Sequence, residues 1–189
     1  MANLTKNALV RNASGKFGDE FVFRTRGKKT TIARLPKIKE DAVKTAKQVK
    51  VNSRFKSASE YAKSAISSGA LKKEYQRKVS TQNTAFNVAF RDYLRAPEVT
   101  AIDIENYKGS IGSTIVISAT DDFKVVAVKV SIRSAAGVLI EEGNAVPDPI
   151  FSELWTYTAT QANSALAGTV ISATAADLPR NKGGMSVTV

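Results

Sequence analysis

A chain of 189 residues with 28 Lys+Arg, 17 Asp+Glu and 43% apolar residues is globular in class and long enough for one large domain or two small ones. It contains no cysteine and no histidine, which removes disulfides, thiolate chemistry, the usual zinc sites and every Ser-His or Cys-His nucleophile system. The formal charge of +11 is unevenly spread: residues 1–97 hold 22 cations and 7 acids, net +15, whereas residues 98–189 hold 6 and 10, net −4.

The opening, MANLTKNALVRNASGK, lacks the basic-then-apolar layout of a secretory signal. Met1 is therefore read as a true start, and the cytoplasm or an assembled particle as the expected location. No apolar run approaches the ~18 residues of a membrane span. Glu20 to Thr25 alternates, with Phe21 and Phe23 on one side and Val22 and Arg24 on the other. Lys29 to Leu35 is rich in β-formers, and Arg26-Gly27-Lys28 between the two runs predicts a hairpin ended by Pro36. The segment FVFRTRGKKTTIARLPKIK carries Arg24, Arg26, Lys28, Lys29, Arg34, Lys37 and Lys39 without one acid. These seven cations are the candidate partner-binding residues.

The period becomes helical from Glu40. Val51, Phe55, Ala58, Ala62 and Ile66 form a stripe, with Glu40 and Asp41 in the first turn and Gly69 as the stop. A short helix through Leu71, Tyr75 and Val79 follows. A third, capped by Ser80, places Phe86, Ala89, Phe90 and Tyr93 on one face. Lys44, Lys47, Lys50, Lys56 and Lys63 read as the wet face of the first helix. The segments SGKFGDEFVFRTRGKKTTIARLP and TAKQVKVNSRFKSASEYAKSA resemble, over roughly residues 14–65, the start of uncharacterised bacterial proteins that open with a Ser-Gly-Lys-x-Gly hairpin. Those proteins continue through a Gln-x-x-x-x-x-Arg-Phe helix, here Gln48 to Arg54-Phe55. The resemblance implies that hairpin and helix belong together, and it brings no activity with it.

A proline at Arg95-Ala96-Pro97 stops the helical pattern where the charge changes sign, so two modules are expected, 1–96 and 98–189. Beyond it the chain alternates. Ile115, Ile117 and Ala119 share a face, as do Val126, Val128, Val130 and Ile132; Trp155 pairs with Tyr157; Ile171, Ala173 and Ala175 follow, then Met185, Val187 and Val189. Turn residues separate these runs, giving about seven short strands, an antiparallel sandwich pattern. The segments IVISATDDFKVVAVKVSI, LWTYTAT and GTVISATAADLPRNKGGMSVTV resemble bacterial immunoglobulin-like or fibronectin-like repeats. There a Thr-Asp-Asp corner precedes the third strand and an Ala-x-Asp-x-Pro-x-Asn corner precedes the last; Thr120–Phe123 and Ala176–Asn181 match. Lys124 stands where glycine is common, and Arg180 intrudes into the usual Pro-Gly-Asn turn. The resemblance implies an immunoglobulin-like β-sandwich that serves adhesion, spacing or assembly rather than catalysis.

Two readings of the cations stand side by side. They dock on an acidic protein surface, or they grip the phosphates of a nucleic acid. The first is preferred, because Phe21 and Phe23 are assigned to the core and no known nucleic-acid module is present. Asp121-Asp122 and Asp177 to Asn181 fall at corners, where oxygen clusters can hold calcium, but no Asp-x-Asp-x-Asp spacing exists and no metal is assigned. Glu141-Glu142 reads as an exposed strand end. The expectation is an α+β chain of two modules: a hairpin with about three helices, then an all-β sandwich. The protein is expected to be non-enzymatic and without cofactor, an assembling structural protein and, by analogy, a virion or injection-machine component.

Overall fold

The computed structural model describes residues 2–3, 7, 10, 13–26, 28–35, 43–81 and 83–189; for Ala2, Asn3 and Arg26 it describes the backbone alone. Alternation around the basic segment produces the expected hairpin, β3 (Phe21–Arg26) against β4 (Lys29–Arg34), in a register that runs from Phe21↔Arg34 to Arg26↔Lys29. Two short strands that the sequence reading did not anticipate extend it: β1 (Ala2–Asn3) and β2 (Gly15–Phe17), in the order β1-β4-β3-β2. Gly18, at φ 60°, supplies the left-handed residue of the turn between β2 and β3. Thr30 is buried, and its hydroxyl pairs with that of Thr25 at 3.0 Å.

Helix α1 covers Ala46–Ser67. It begins later than the expected Glu40 because Thr45 and Gln48 form a reciprocal cap: each backbone N–H donates to the other's side-chain oxygen, at 2.9 and 3.3 Å. Glu40 and Asp41, placed in the first turn by the sequence reading, lie outside the described residues. Helix α2 (Gly69–Gln76) starts at the glycine that was expected to stop its predecessor. Helix α3 (Ala85–Leu94) is capped by Thr84, which accepts from Asn87 N, and not by Ser80. Along α1 the buried positions are the small ones, Ala58, Ala62 and Ala65, while Val51 and Phe55 at the start of the predicted stripe are exposed.

Eight strands follow. β5 (Glu98–Asp103), β6 (Thr114–Thr120), β10 (Leu154–Thr158) and the two-residue β9 (Val146–Pro147) make one antiparallel sheet, in the order β5-β6-β10-β9. β12 (Lys182–Thr188), β11 (Val170–Asp177), β7 (Val125–Arg133) and β8 (Leu139–Asn144) make the other, in the order β12-β11-β7-β8. Residues of both share one core: Ile115, Ile117 and Trp155 from the first, Val128, Ile132 and Ile171 from the second. Period-two alternation predicts these positions, but Met185 and Val189 on the face read for the last strand are exposed, and so is Val126. Val126 is 47% exposed, because the β7–β11 register slips there and Asp177 pairs with Val125 after Ala176 pairs with Ala127.

The chain is thus α+β with a strand-rich body. It forms two compact units, residues 1–50 and 51–189, so α2, α3 and most of α1 belong with the strands from Glu98 onward, and the charge change at Arg95–Pro97 falls inside the second unit. The physical reason lies in the helical core. Its buried residues Ala62, Ala65, Tyr75 and Ala89 pack not only with helix residues such as Tyr61, Leu71 and Phe86 but also with Phe123 and Leu178 from two turns of the strand body. Among the described residues, no helix is long and apolar enough to cross a membrane.

Candidate functional site

Alternation along β2, β3 and β4 sorts the basic residues. The pairs Lys16↔Val22 and Arg24↔Thr31 put Lys16, Arg24 and Lys29 on one face of the sheet, while Arg34, opposite Phe21, shares the other face with Phe23 and Ile32. Arg24, Lys28, Lys29 and Arg34 are exposed, and none forms an ion pair with a described residue. Arg26 is described by its backbone alone, paired with Lys29; Lys37 and Lys39 lie outside the described residues. Lys16 joins this face through a strand too short to read from its own pattern. By unit, residues 1–50 carry 13 cations and 4 acids, net +9, and residues 51–189 carry 15 and 13, net +2. Most of the excess charge therefore sits in the first unit. In the second, Arg91 and Arg95 are held by Asp122, at 3.4 and 2.8 Å.

A second cluster lies in the larger unit, where three chain segments bring acids together. Asp92 on α3, Asp121 at the β6–β7 corner and Asp177 at the end of β11 each place a carboxylate oxygen within 4.8 Å of the others. Each carboxylate is anchored by donors of its own. Tyr75 donates to Asp92 Oδ2 at 2.6 Å, and the Tyr61 and Tyr75 hydroxyls pair at 2.7 Å. Asp121 Oδ2 accepts from the backbone N–H of Phe123 and Lys124, at 2.9 and 2.8 Å. Asp177 accepts from the Asn181 backbone at 2.6 Å and its side-chain amide at 2.7 Å. That amide also reaches the carbonyls of Asp92, Tyr93 and Arg95, which closes the last turn of α3.

Burial is the main force on the titration of Asp92, Asp177 and Tyr75. It pushes Asp92 up to about 7, against the lowering effect of the Tyr75 hydrogen bond, with the neighbouring Asp121 and Asp177 charges adding to the rise. Asp177 is likewise raised, chiefly by burial. Tyr75 is driven far above the ordinary tyrosine value by burial and by its bond to Asp92. The corner reading of Asp121 and Asp177 is thereby given a geometry, and the missing member is Asp92. Its signal was available: Ala85, Ala89 and Asp92 fall at i, i+4 and i+7, a charge on a buried stripe.

Glu141 corrects the sequence reading. It is 7% exposed, not an open strand end, and its Oε2 accepts from Tyr157 Oη, both N–H and hydroxyl of Thr160, and Gln161 N. Glu142, one residue on, points to solvent and pairs with Lys129. Arg180, which takes the glycine position of the usual Pro-Gly-Asn turn, has φ 72°.

No protein-family model and no curated protein matches the chain. A crystal structure of CopC from Methylosinus trichosporium OB3b is similar over 48% of this chain and 87% of that one, at 12% sequence identity and a TM-score of 0.36.

Proposed function

We propose that this is a non-enzymatic binding and assembly protein whose basic N-terminal unit docks on an acidic partner surface, while an immunoglobulin-like body supplies spacing or lateral contacts. One observation carries the reading: the first unit holds net +9, and its described strand cations are exposed without an acid paired to them. Such a surface repels itself, and an anionic partner relieves that repulsion. Strand order supports the second half of the proposal. The sheets β5-β6-β10-β9 and β12-β11-β7-β8 follow the A-B-E-D and G-F-C-C′ arrangement of immunoglobulin-type sandwiches. A component of a virion or injection machine is the setting this combination suits.

The test is retention of the full chain on poly-L-glutamate and on short duplex DNA at about 0.05 and 0.15 M salt. Retention on polyglutamate at the higher salt, lost in the Arg24→Glu/Lys29→Glu variant, is the expected result. Strong DNA binding with a steep log–log salt slope, and none on polyglutamate, would replace acidic-surface docking with nucleic-acid binding.

A further inference from the structure

We propose that Asp92, Asp121 and Asp177 form a binding site for a hard divalent cation, calcium foremost, which ties the helices to the turns of the strand body. The donors within 4.8 Å of one another are all carboxylate oxygens, and the chain has no histidine or cysteine to add a softer ligand. Such a donor set selects calcium, magnesium or manganese over zinc or copper.

A separate observation points to a ligand. Asp92 is 1% exposed, yet its Oδ1 meets no hydrogen-bond donor among the described residues, and the buried Oδ1 of Asp121 meets none either. Buried acceptors in native proteins are almost always satisfied, so two orphans in one carboxylate cluster call for a positive partner. The nearby guanidinium groups do not supply it, since Arg91 and Arg95 pair with Asp122 at the rim.

Support around the ligands is already in place. The second oxygen of Asp92 is held by Tyr75, that of Asp121 by the Phe123 and Lys124 amides, and Asp177 by Asn181. Outer contacts of this type fix ligand orientation before an ion arrives. Calcium takes about 6–8 oxygens, so three carboxylates leave places for water, and affinity falls in the ~10⁻⁴–10⁻³ M range of weakly binding modules. Because the ligands come from α3, the β6–β7 corner and the end of β11, the ion would crosslink segments distant in sequence. It therefore acts on tertiary docking rather than on one loop.

The experiment uses the full chain stripped with EDTA. Thermal unfolding is followed by tryptophan fluorescence with calcium, magnesium or manganese chloride at pH about 7.5. Terbium luminescence sensitised by tyrosine is read in parallel, since Tyr75 donates directly to a proposed ligand. At about a hundredfold excess over Kd, calcium is expected to raise Tm by about 5–10 °C. Asp92→Asn and Asp121→Asn should each abolish that rise and the terbium signal; having both keeps the test alive if one variant does not fold. No rise with any of the three cations and no terbium emission overturns the proposal and leaves a proton shared between the carboxyls in the ion's place. A rise undiminished in both variants overturns it too, because the ion then binds elsewhere.

Discussion

Replacing Glu141 removes four hydrogen bonds at one atom, so its effect can be worked out contact by contact. Oε2 accepts from Tyr157 Oη at 3.1 Å, Thr160 N at 2.9 Å, Thr160 Oγ1 at 2.8 Å and Gln161 N at 3.2 Å. In Glu141→Ala the two hydroxyls can rotate to new partners, but the backbone N–H groups of Thr160 and Gln161 cannot. A buried donor left unpaired costs about 1–3 kcal/mol, so these two dominate the loss. Part returns, because truncation also removes a buried charge whose Oε1 meets no donor among the described residues. The expected net is about 2–4 kcal/mol of destabilisation. Glu141→Gln keeps an acceptor at the crowded site but loses charge assistance and buries an amide N–H where Oε1 sat, so it should cost less than alanine, about 1–3 kcal/mol. Urea unfolding reports both, with m unchanged, through the single tryptophan, Trp155, which is 5% exposed on β10. Tyr157 gives an independent readout. Burial first, then the bond to Glu141 and its charge, push this phenol up to about 12, so either variant should lower its alkaline titration midpoint. An alanine variant within about 0.5 kcal/mol of the parent, with Tyr157 unmoved, would place Glu141 in water and refute the buried arrangement.

Three further outcomes are expected. Arg180→Gly should stabilise the second unit by about 0.5–1 kcal/mol, because φ 72° strains a residue with a Cβ and not glycine; a higher urea midpoint checks it. Gly183→Ala should destabilise by about 1–3 kcal/mol, since an added Cβ overlaps the Pro97 carbonyl oxygen, and a lowered Tm reports the loss. Asp148 accepts from the Phe151 and Ile150 amides, which hold its carboxyl below the ordinary aspartate value. Its contribution is present above the unfolded-state pKa and is lost as pH falls through the depressed folded value. Those two amides should therefore stay protected from exchange until the solution is more acid than the usual aspartate range, as NMR can follow.

Strand faces such as Ile115, Ile117, Ala119 and Ile171, Ala173, Ala175 were legible, because a pleated chain exposes alternate residues whatever its neighbours do. Val126 was not, since its outward turn follows from a bulge that exists only against β11. The onset of α1 was readable in principle from Thr45 and Gln48, a local signal outweighed by the acids upstream. Arg24, Lys28, Lys29 and Arg34 kept the exposure that their charge implies; the β3–β4 register divides Arg24 and Lys29 from Arg34, and the addition of Lys16 to the first face needed the pairing with β2.

Composition and periodicity, being local properties, sufficed for the α+β class, for the basic excess at the N-terminal end and for the loss of all histidine and cysteine chemistry. They say nothing of which distant segments meet. Asp92, Asp121 and Asp177 converge because an alanine-lined helical core closes against Phe123 and Leu178, and Glu141 is buried because the turn after β10 folds its amides over it. Burial by a remote surface is a property of packing, and packing alone brought two corner carboxylates and one helical aspartate together into a cluster with its helical member buried.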